Sequence, residues 1–419
     1  MKIAIIGTGI SGLAAAWQLH RQHDLTIFEA NDYIGGHTHT VDVEVQGQNY
    51  AVDTGFIVFN DWTYPRFIGL LEQLGVASQP TLMSFSVRCE RTGLEYNGEN
   101  LNTLFAQRRN LFRPSFHRMI RDILRFNREA PALLVMKSHR EISLNAYLRE
   151  RAYSREFTEH YILPMAAAIW SAEPALMGAM PARFFVQFFK NHGLLSVSDR
   201  PQWRVIQGGS RNYVERLTAP FRDRIRLNCP VEWVRRHPNQ VQIKPKYDPR
   251  ERFDQVIFAT HSDQALRVLA DSTVKEREIL SAIPYQENEV VLHTDIRLLP
   301  RRKRAWAAWN YHLPVQPQNR VAVTYDMNLL QGLDAPETFC VTLNRSEAID
   351  PARILYRTTY HHPVFTEAGV RAQARRDEIS GVNRTWYCGA YWSYGFHEDG
   401  VNSGLAVGQG LLEQRAVAA

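Results

Sequence analysis

Three glycines and one acidic residue near the start of the chain have the types and spacing that bind a phosphate-bearing ligand. Gly7, Gly9 and Gly12 form the pattern GxGxxG. In this pattern the first glycine allows a tight turn, the second lets the backbone approach a pyrophosphate, and the third lets a helix pack closely on a strand. Glu29 follows Gly9 by 20 residues, where a carboxylate can accept hydrogen bonds from ribose hydroxyls. The pattern predicts a dinucleotide site; the alternative is a βαβ unit with a purely structural role.

A second glycine pair, Gly35 and Gly36, comes directly before two histidines that are separated by one residue. His37 and His39 would lie on one face of an extended segment, and two such imidazoles can ligate zinc. No cysteine or nearby carboxylate completes a zinc set, whereas the glycine pair allows a second close approach of the backbone to a ligand. We therefore predict no metal site, and we interpret the histidines as polar groups that line a phosphate or flavin cleft.

The elements that must position these residues are two buried strands and the helix between them. The stretch KIAIIG ends in glycine and is typical of a strand buried on both faces. The stretch ISGLAAAWQLHRQ contains helix formers and no breaker, so the free N–H groups at Ile10 and Ser11 would face the phosphates. A second strand, DLTIFE, ends at Glu29. This order of elements predicts an α/β fold.

The composition is that of an ordinary globular protein with two or three domains. The chain has 419 residues, of which 45% are hydrophobic and 22% charged. Its net charge of +6 is compatible with an acidic ligand or an anionic membrane surface. No apolar stretch is long enough to span a bilayer and no signal peptide precedes the first strand, so we expect a cytoplasmic protein. The four cysteines lie far apart without a CxxC motif, which argues against disulfides and zinc ribbons.

Three N-terminal motifs, GTGISG, FEANDYIGGHTHT and YAVDTGFIVFN, together resemble the FAD-binding region of the amine oxidase and phytoene desaturase superfamily. Two later stretches agree. The stretch VEWVRRHPNQVQIKPKYDPRERFDQVIFAT resembles the segment that meets the adenine, and WYCGAYWSYGFHEDGVNSGLAVGQGLLEQ resembles the C-terminal flavin motif. The resemblance implies a Rossmann-like FAD-binding domain (GR2-type) with an interleaved α+β substrate domain. The cofactor-binding residues that it implies are Gly7, Gly9, Ile10, Ser11, Gly12, Glu29, Ala30, Gly35, Gly36, His37, Thr38, Gly55, Phe56, Val231, Thr260, Gly389, Gly400 and Val401.

Three departures from the family pattern affect the expected cofactor site. His37 stands where amine oxidases usually carry an arginine, and Ala390 stands where an acid usually contacts the ribityl chain of the flavin. The cysteine that anchors flavin covalently in monoamine oxidases has no counterpart in TYHHPVFT. The resemblance therefore implies noncovalently held FAD. It also implies that the last helix starts near the flavin ring at Gly400 and Val401, where its dipole would stabilise reduced flavin.

Within the superfamily, the chain resembles a bacterial group of predicted FAD/NAD-binding oxidoreductases. The stretches PYQENEVVLHTDIRLLPRRKRAWAAWNYH and GAYWSYGFHEDGVNSG resemble that group, whose members are associated with fatty acyl modification, including desaturation of methyl-branched chains. The resemblance thus implies hydride removal from a C–H bond of an apolar substrate, such as a fatty acyl chain of a phospholipid. The tyrosine that guides the amine in amine oxidases is replaced at Phe396 or His397, which argues against amine chemistry.

Alternatives to this function stay open from the sequence. They are a flavin amine oxidase, a redox-neutral flavin isomerase of the UDP-galactopyranose mutase type, and a flavoprotein that binds membranes without turnover. His397, Glu398 and Tyr394 are candidates for catalysis by position only. The electron acceptor, the individual substrate and the oligomeric state are not indicated.

The cofactor motifs are interrupted twice, so we expect each domain to be assembled from separate segments. The FAD-binding domain would comprise residues 1–85, 205–270 and 375–419, and the substrate domain residues 86–204 and 271–374. The segment Tyr161–Leu195 is apolar and aromatic. It predicts a helical core, and the alternative is that some of its side chains line a long apolar tunnel over the flavin.

A basic amphipathic helix is predicted for SFHRMIRDILRFNR in the substrate domain. Phe116, Met119 and Ile123 fall on one helical face, and arginines between Arg108 and Arg128 fall elsewhere. Both a solvated surface helix and docking on an anionic membrane fit this pattern; in the second case the apolar face would enter the acyl boundary, and the protein would be peripheral on the inner membrane face. The run RRKR at 301–304 would add to the positive electrostatic potential of these arginines. No nucleic-acid-binding module accompanies the charges.

Overall fold

The computed structural model describes residues 1–135, 141–316 and 320–418. The strands, numbered β1 to β20 in chain order, are Lys2–Ile6, Asp24–Phe28, Thr40–Val45, Gln48–Asp53, Val58–Asn60, Ser78–Pro80, Phe85–Cys89, Leu94–Asn97, Trp203–Ile206, Ile225–Arg226, Val231–His237, Gln240–Pro245, Glu251–Phe253, Gln255–Phe258, Tyr285–His293, Trp309–Leu313, Val323–Asp326, Cys340–Leu343, Ile354–Pro363 and Thr385–Tyr387. The α-helices, numbered α1 to α16, are Ile10–Leu19, Pro65–Leu74, Leu101–Leu104, Pro114–Glu129, Ala132–Val135, Leu144–Glu150, Arg155–Phe157, Leu163–Trp170, Pro174–Ala179, Ala182–Asn191, Arg211–Thr218, Ser262–Val268, Val274–Ser281, Met327–Gln331, Glu367–Gln373 and His397–Ala418.

A five-stranded parallel sheet has the strand order β10-β2-β1-β14-β20. Ile3, Ala4 and Ile5 of β1 are fully buried because both faces of the sheet are covered. Helices α1, α11 and α16 pack on the face of Ile3 and Ile5, and the three-stranded sheet β11-β12-β13 packs with α12 and α13 on the face of Ala4. Helix α1 connects β1 to β2, and the parallel register brings the carboxyl ends of these strands, next to Gly7 and Glu29, to one edge. The predicted order of strand, glycine turn, helix and strand is confirmed.

The second large sheet has seven strands in the order β19-β15-β18-β17-β16-β7-β8. Neighbouring strands are antiparallel except for β16 and β7, which pair in parallel. Its strands come from two separate parts of the chain, and helices α3 to α10 lie between those parts in sequence. The predicted class, a Rossmann-like domain with an interleaved α+β part, is confirmed, whereas the residue boundaries of the two domains stay predictions.

The apolar segment between 161 and 195 forms helices α8, α9 and α10. Phe185 and Phe189 of α10 are almost completely buried, with ring centroids 4.1 Å apart, as a helical core requires. Phe184 on the same helix is only partly buried and packs against Tyr394, at the start of the C-terminal region. The segment is therefore mainly core, with one edge turned towards the region of the last helix.

Helix α4 forms as predicted, but its apolar face is covered by the protein. Phe116 and Met119 are 2% and 1% exposed and belong to the core that also contains the aromatic side chains of α10. Ile123 is partly buried against the same core. The expectation that this face enters a bilayer is wrong, because the sequence pattern shows that a face is apolar without showing what packs on it. Across the described parts of the chain, no helix combines the length and apolarity needed to cross a membrane.

Candidate active site

The turn between β1 and α1 leaves no room for side chains at two of its three glycines. Gly7 has a φ of +103°, and a Cβ built there would lie 2.7 Å from the carbonyl oxygen of Ala259 and 3.4 Å from the amide nitrogen of Thr260. A Cβ on Gly12 would lie 2.3 Å from the carbonyl oxygen of Gly7. A Cβ on Gly9 would meet no heavy atom of the described residues within 4 Å. The turn is closely packed on the sheet and open at Gly9, where a phosphate can approach the backbone N–H groups.

Glu29 lies directly after β2, and its buried carboxylate is held by its surroundings. It accepts hydrogen bonds from the Thr8 amide (2.9 Å), the Thr8 hydroxyl (2.5 Å) and the Asn31 amide (2.9 Å). The Thr8 hydroxyl in turn accepts a hydrogen bond from the Gly35 amide at 3.2 Å. Because a carboxylate has about four acceptor positions, one stays available for a ligand hydroxyl. Thr8 was not singled out from the sequence; its position inside GxGxxG is the signal that could have found it.

The second glycine pair brings another loop against the first one. The backbone of Gly36 lies on Gly9, since a Cβ built at Gly36 would be 3.1 Å from the Gly9 Cα. The next residue, His37, accepts a hydrogen bond through its carbonyl oxygen from the Phe56 amide at 2.7 Å, which places Gly55 and Phe56 beside it. Three sequence motifs that lie apart in the first sixty residues therefore meet at one edge of the parallel sheet.

The His37 side chain lies in a cluster of aromatic and imidazole rings. Its ring centroid is 4.9 Å from that of Tyr360, 5.4 Å from His362 and 5.8 Å from His261. Burial, together with the neighbouring His361, lowers the pKa of His37 to about 4, so the ring is neutral at neutral pH. Its buried Nε2 has no hydrogen-bond partner among the described residues. Such an atom normally has a partner, so this nitrogen is positioned to contact a polar group of a ligand.

His39 does not share this cluster. Its Nδ1 lies 2.8 Å from the Thr54 hydroxyl, and its ring stacks on Tyr356 with centroids 5.2 Å apart. The two histidines that could have formed a pair on one strand face thus have different surroundings. Within the described ranges, no group of three or more His, Cys, Asp or Glu side chains is arranged to hold a metal ion.

The expected adenine side of the site lies next to Glu29. The amide of Cys229 donates to the carbonyl oxygen of Glu29 at 2.8 Å. Val231 follows two residues later as the first residue of β11, and Ala30, beside Glu29, is exposed. The structure thus brings the Val231 segment to the C-terminal end of β2, next to Glu29, although these residues lie far apart in sequence.

Helix α16 packs directly on the backbone of α1. A Cβ built on Gly404 would lie 2.2 Å from the carbonyl oxygen of Ser11, and one on Gly400 would also collide with α1. Val401 between them is buried, and the amide of Gly389, after β20, donates to a serine hydroxyl of α16 at 3.1 Å. The amino ends of both helices therefore lie at the same cleft, and both present free N–H groups and the positive ends of their dipoles.

His397, the first residue of α16, is fixed by a buried hydroxyl. Its Nε2 lies 2.8 Å from the Tyr213 hydroxyl, which lies 2.6 Å from the Thr38 hydroxyl. Its ring stacks on Phe56 with centroids 3.6 Å apart. Burial lowers the pKa of His397 to about 3, so the imidazole is neutral at neutral pH. A catalytic role for His397 stays a prediction; its observed contacts hold the start of α16 against the loop that carries Thr38.

The two acids after His397 are both engaged by backbone amides. The Glu398 carboxylate accepts hydrogen bonds from the amides of Arg66 (2.9 Å) and Phe67 (2.8 Å), at the amino end of α2. The Asp399 carboxylate accepts one from the amide of Phe396 at 2.9 Å, and burial raises the pKa of Asp399 to about 6. Glu398 thus caps a helix in this structure, and its proposed part in catalysis stays a prediction.

An aromatic cluster surrounds the residue that directly precedes α16. Its members, referred to below as the aromatic cluster, are Trp170, Phe184, Phe188, Phe365, Tyr394 and Phe396. The ring centroid of Phe396 is 5.0 Å from that of Phe188, and that of Tyr394 is 4.6 Å from that of Phe184. The Trp170 indole N–H donates to the carbonyl oxygen of Tyr394 at 3.1 Å.

His192 adds an imidazole to this cluster and was not found from the sequence. It stacks on Phe188 with centroids 3.9 Å apart, and its Nδ1 lies 3.0 Å from the Phe188 carbonyl oxygen. Burial lowers the pKa of His192 to about 4. A histidine at the end of a helix rich in phenylalanine was the available sequence signal.

Comparison with known proteins agrees with this geometry. The family model described as flavin containing amine oxidoreductase matches residues 10–303. A Mycobacterium tuberculosis protein named as a flavin-containing monoamine oxidase, AofH, is 26% identical over 257 residues, which are 58% of this chain and 53% of that protein, so the chain matches about half the length of this curated relative. The solved structure of cyclohexylamine oxidase from Brevibacterium oxydans is similar over 99% of both chains, with 16% identity and a TM-score of 0.72. The CLA-producing fatty acid isomerase from P. acnes is similar over 97% of both chains, with 17% identity and a TM-score of 0.69.

The residues at the cleft fit FAD, the cofactor of these proteins. The open backbone at Gly9 and the two helix ends suit a pyrophosphate, and Glu29 suits a ribose. The buried Nε2 of His37, which has no hydrogen-bond partner among the described residues, is available for a further polar contact. With the family model matching most of its length, the chain belongs to the flavin-containing amine oxidoreductases, and its cofactor is FAD.

Proposed function

We propose that the protein is an FAD-dependent oxidoreductase that removes hydride from a C–H bond of an apolar substrate, with a fatty acyl chain as the substrate class. The aromatic cluster carries the proposal. Phe396 precedes the helix whose amino end lies at the cofactor cleft, and Phe184, Tyr394 and Phe396 are only partly buried. These three rings present hydrocarbon surface that suits an alkyl chain, and the buried rings of the cluster pack behind them.

The polar groups around this cluster support an apolar substrate more than a cationic one. The acids nearest to it in sequence, Glu398 and Asp399, are engaged by backbone amides. His397 and His192 are neutral at neutral pH because burial lowers the pKa of each. An alkyl chain would need no charged partner, whereas an ammonium group taken out of water would need one.

Bound FAD would supply the hydride acceptor. The side chains of the aromatic cluster would exclude water and hold the reacting carbon in place. In a desaturation, a proton must also leave the adjacent carbon, and a neutral imidazole can accept it. His397 is therefore a proposed proton acceptor, and His192 joins it because it stacks on Phe188. Glu398 and Tyr394 stay candidates by position only. The electron acceptor that reoxidises the flavin stays open.

Two solved relatives define the main alternatives. The P. acnes protein is a fatty acid isomerase, which supports the acyl substrate class. Because it is an isomerase, a redox-neutral reaction is one alternative. The Brevibacterium protein is a cyclohexylamine oxidase, and aromatic rings also attract cations through their π faces. Amine oxidation is therefore the second candidate.

Anaerobic mixing separates these functions. We expect that a phospholipid with straight or methyl-branched acyl chains bleaches the visible absorption of the oxidised flavin, and that mass spectrometry then finds acyl chains lighter by two hydrogens. Bleaching of the flavin by primary amines and not by lipid would indicate an amine oxidase. Product formation of unchanged mass, without net flavin reduction, would indicate an isomerase.

A further inference from the structure

Three large apolar side chains project into solvent beside helix α4. Phe112 is 88% exposed, Leu101 75% and Leu111 44%. Leu111 and Phe112 end a short 3-10 turn, Arg108–Phe112, which lies between α3 and α4. Side chains this exposed bury little apolar area in the folded chain, and exposed apolar groups of this size in one place commonly mark an interaction site.

Basic residues surround this tip. Arg108 and Arg109 are exposed within the turn, Arg113 follows it, and the separate loop Arg301–Arg304 contributes four more exposed cations. Glu99 is the one acid in the sequence ranges 99–113 and 301–304. We refer to the residues of these two ranges as the basic tip.

Hydrogen bonds through Glu95 and Asn97 of β8 join the two ranges of the basic tip. The Glu95 carboxylate accepts from the amides of Arg301 (2.9 Å) and Arg302 (3.2 Å), and the Glu95 amide donates to the side-chain oxygen of Gln107 at 3.1 Å. The Asn97 side-chain amide donates to the carbonyl oxygen of Trp306 at 2.7 Å. The loop 301–304 is thus fixed beside the turn that begins at the next residue after Gln107.

The charges of the basic tip are not neutralised by acids. The Arg108 guanidinium donates to the Asn102 side-chain oxygen at 2.6 Å, and that of Arg109 donates to the carbonyl oxygen of Gly93 at 2.7 Å. These acceptors are neutral. In the described ranges of the chain, no ion pair joins an acid to Arg108, Arg109, Arg113 or residues 301–304.

The arginines of helix α4 differ in this respect. Arg118 pairs with Glu156 at 2.7 Å, and Arg125 pairs with Asp122 at 3.5 Å. The Arg125 guanidinium also lies over the Tyr153 ring, 4.0 Å from its centroid. The cations of the helix are therefore partly neutralised within the protein. Those of the basic tip have no acidic partner in the described residues, although Lys303 lies over the Trp306 ring, 5.7 Å from its centroid, so their charge is available to an external anionic surface.

We propose that the basic tip docks the protein on an anionic phospholipid bilayer. Phe112 and Leu111 enter the boundary between headgroups and acyl chains, and the surrounding guanidinium and ammonium groups contact anionic headgroups. Charge complementarity identifies the partner. The cations of the basic tip match the anionic headgroups of a bilayer, and the apolar side chains between them match the acyl chains beneath those headgroups. This docking goes beyond the proposed oxidation and does not depend on the substrate.

Vesicle co-sedimentation of the purified holoprotein tests the docking. We expect sedimentation with vesicles of phosphatidylcholine and phosphatidylglycerol at low salt, little with phosphatidylcholine alone, and release at high salt because salt screens exposed charges. Arg302→Glu with Arg304→Glu should weaken binding at least tenfold. Phe112→Ser, which keeps the charge, should weaken it several-fold.

Matched controls lie on helix α4, which is also basic. Arg121→Glu with Arg128→Glu makes the same change in net charge on exposed residues outside the basic tip, and Leu124→Ser removes a side chain that is 54% exposed there. Both controls should bind vesicles nearly as the unchanged protein does. Flavin content and melting temperature, measured for every variant, identify any that fail to fold.

The proposal would be overturned by no binding to anionic vesicles at low salt, or by an equal loss in the α4 controls. Equal binding to neutral vesicles, or capture of an oligonucleotide in place of vesicles, would overturn it as well. Substrate-dependent flavin bleaching is measured separately with detergent-dispersed substrate, so the failure of docking and the failure of the proposed oxidation give different results.

Discussion

Glu29 has two functions in the cleft. It holds the glycine turn through Thr8 and, by way of the Thr8 hydroxyl, the second glycine pair at Gly35. The second function is a prediction: the remaining acceptor position of the carboxylate would accept a hydrogen bond from a ribose hydroxyl of FAD. Removing the side chain therefore affects both the shape of the cleft and its ligand, and the two effects have to be measured apart.

We predict that Glu29→Ala weakens FAD binding about tenfold or more. A charge-assisted hydrogen bond contributes roughly 1.5–3 kcal/mol, and about 1.4 kcal/mol corresponds to a factor of ten in the dissociation constant. Flavin fluorescence during dilution of the holoprotein measures the change. Thr8→Val is the control, because it removes the hydroxyl between the two loops and keeps the carboxylate; a loss as large as in Glu29→Ala would mean that the ribose contact is unimportant.

Tyr213 gives a second prediction, since its hydroxyl lies between Thr38 and His397. Tyr213→Phe leaves the buried Nε2 of His397 and the Thr38 hydroxyl without this partner. An unsatisfied buried polar group lowers stability by about 1–3 kcal/mol, so we expect a loss of that size in the free energy of unfolding. Denaturant titration measures it. Tyr247→Phe, at a side chain that is 73% exposed, should leave the stability nearly unchanged.

Local pattern in the sequence indicated the residues of the cleft that lie close together in the chain. Distant residues such as Val231 and Gly400 were indicated only by the family resemblance, and the histidine cluster was missed. The GxGxxG turn and Glu29 belong to one βαβ unit, whose local pattern fixes their arrangement. His261, which directly precedes α12, and His362 of β19, in contrast, reach His37 from distant parts of the chain. No periodicity in a single sequence reports such a contact, and so the histidine cluster was not predicted.

At the scale of elements, the contact between α1 and α16 depends on glycine. We predict that Gly404→Ala destabilises the protein and lowers its flavin content, because the new Cβ would lie 2.2 Å from the carbonyl oxygen of Ser11 and would push the helices apart at the cleft. Overpacking of this kind typically lowers stability by about 1–3 kcal/mol. Thermal melting and flavin absorbance measure the two effects.

Gly69→Ala is the matched control for this substitution. Gly69 also lies within a helix, α2, but a Cβ built there meets no heavy atom of the described residues within 4 Å. Alanine is more favourable than glycine in a helix by about 0.5–1 kcal/mol, so this variant should be unchanged or slightly more stable. Equal destabilisation of both variants would contradict the role of close helix packing.

Helix α4 shows what a sequence pattern leaves open at this scale. The spacing of Phe116, Met119 and Ile123 predicts an amphipathic helix, and the helix forms. The same spacing fits a membrane-facing and a core-facing helix equally well, because it specifies a face and not the neighbour of that face. Glu156, which pairs with Arg118, belongs to another helix, so the neutralisation of that charge also depends on tertiary structure.

At the scale of the whole molecule, several buried histidines make stability depend on pH. Burial is the first cause of a lowered pKa, to about 4 or about 3, for His37, His192, His261, His293, His312 and His397. An unfolded chain protonates histidine near its ordinary pKa of about 6.5, before the folded chain does. Below that pH the unfolded state binds more protons, and stability falls.

We predict that the melting temperature decreases as the pH falls from 7 to 5. Four carboxyl groups act in the opposite direction, because their protonation favours the folded state. Burial raises the pKa of Asp53, Asp326 and Asp399 to about 6 and also raises that of Glu398. The histidines are more numerous and their pKa values change at least as much, so their effect should dominate. His293→Gln, away from the cleft, should reduce the decrease; a flat profile between pH 7 and 5 would contradict the prediction.

The strand order of the parallel sheet has a consequence for biosynthesis. β1 lies in the middle of the sheet, yet its neighbour β14 begins at Gln255, the edge strand β20 at Thr385, and helix α16, which covers α1, at His397. A nascent chain leaving the ribosome therefore carries the glycine turn and Glu29 long before the strands that flank and cover them. During that interval the apolar faces of β1 and α1 stay exposed, which favours aggregation and capture by chaperones. A chain that ends before residue 385 therefore contains the glycine turn and Glu29 but lacks β20 and α16, and its FAD site is incomplete.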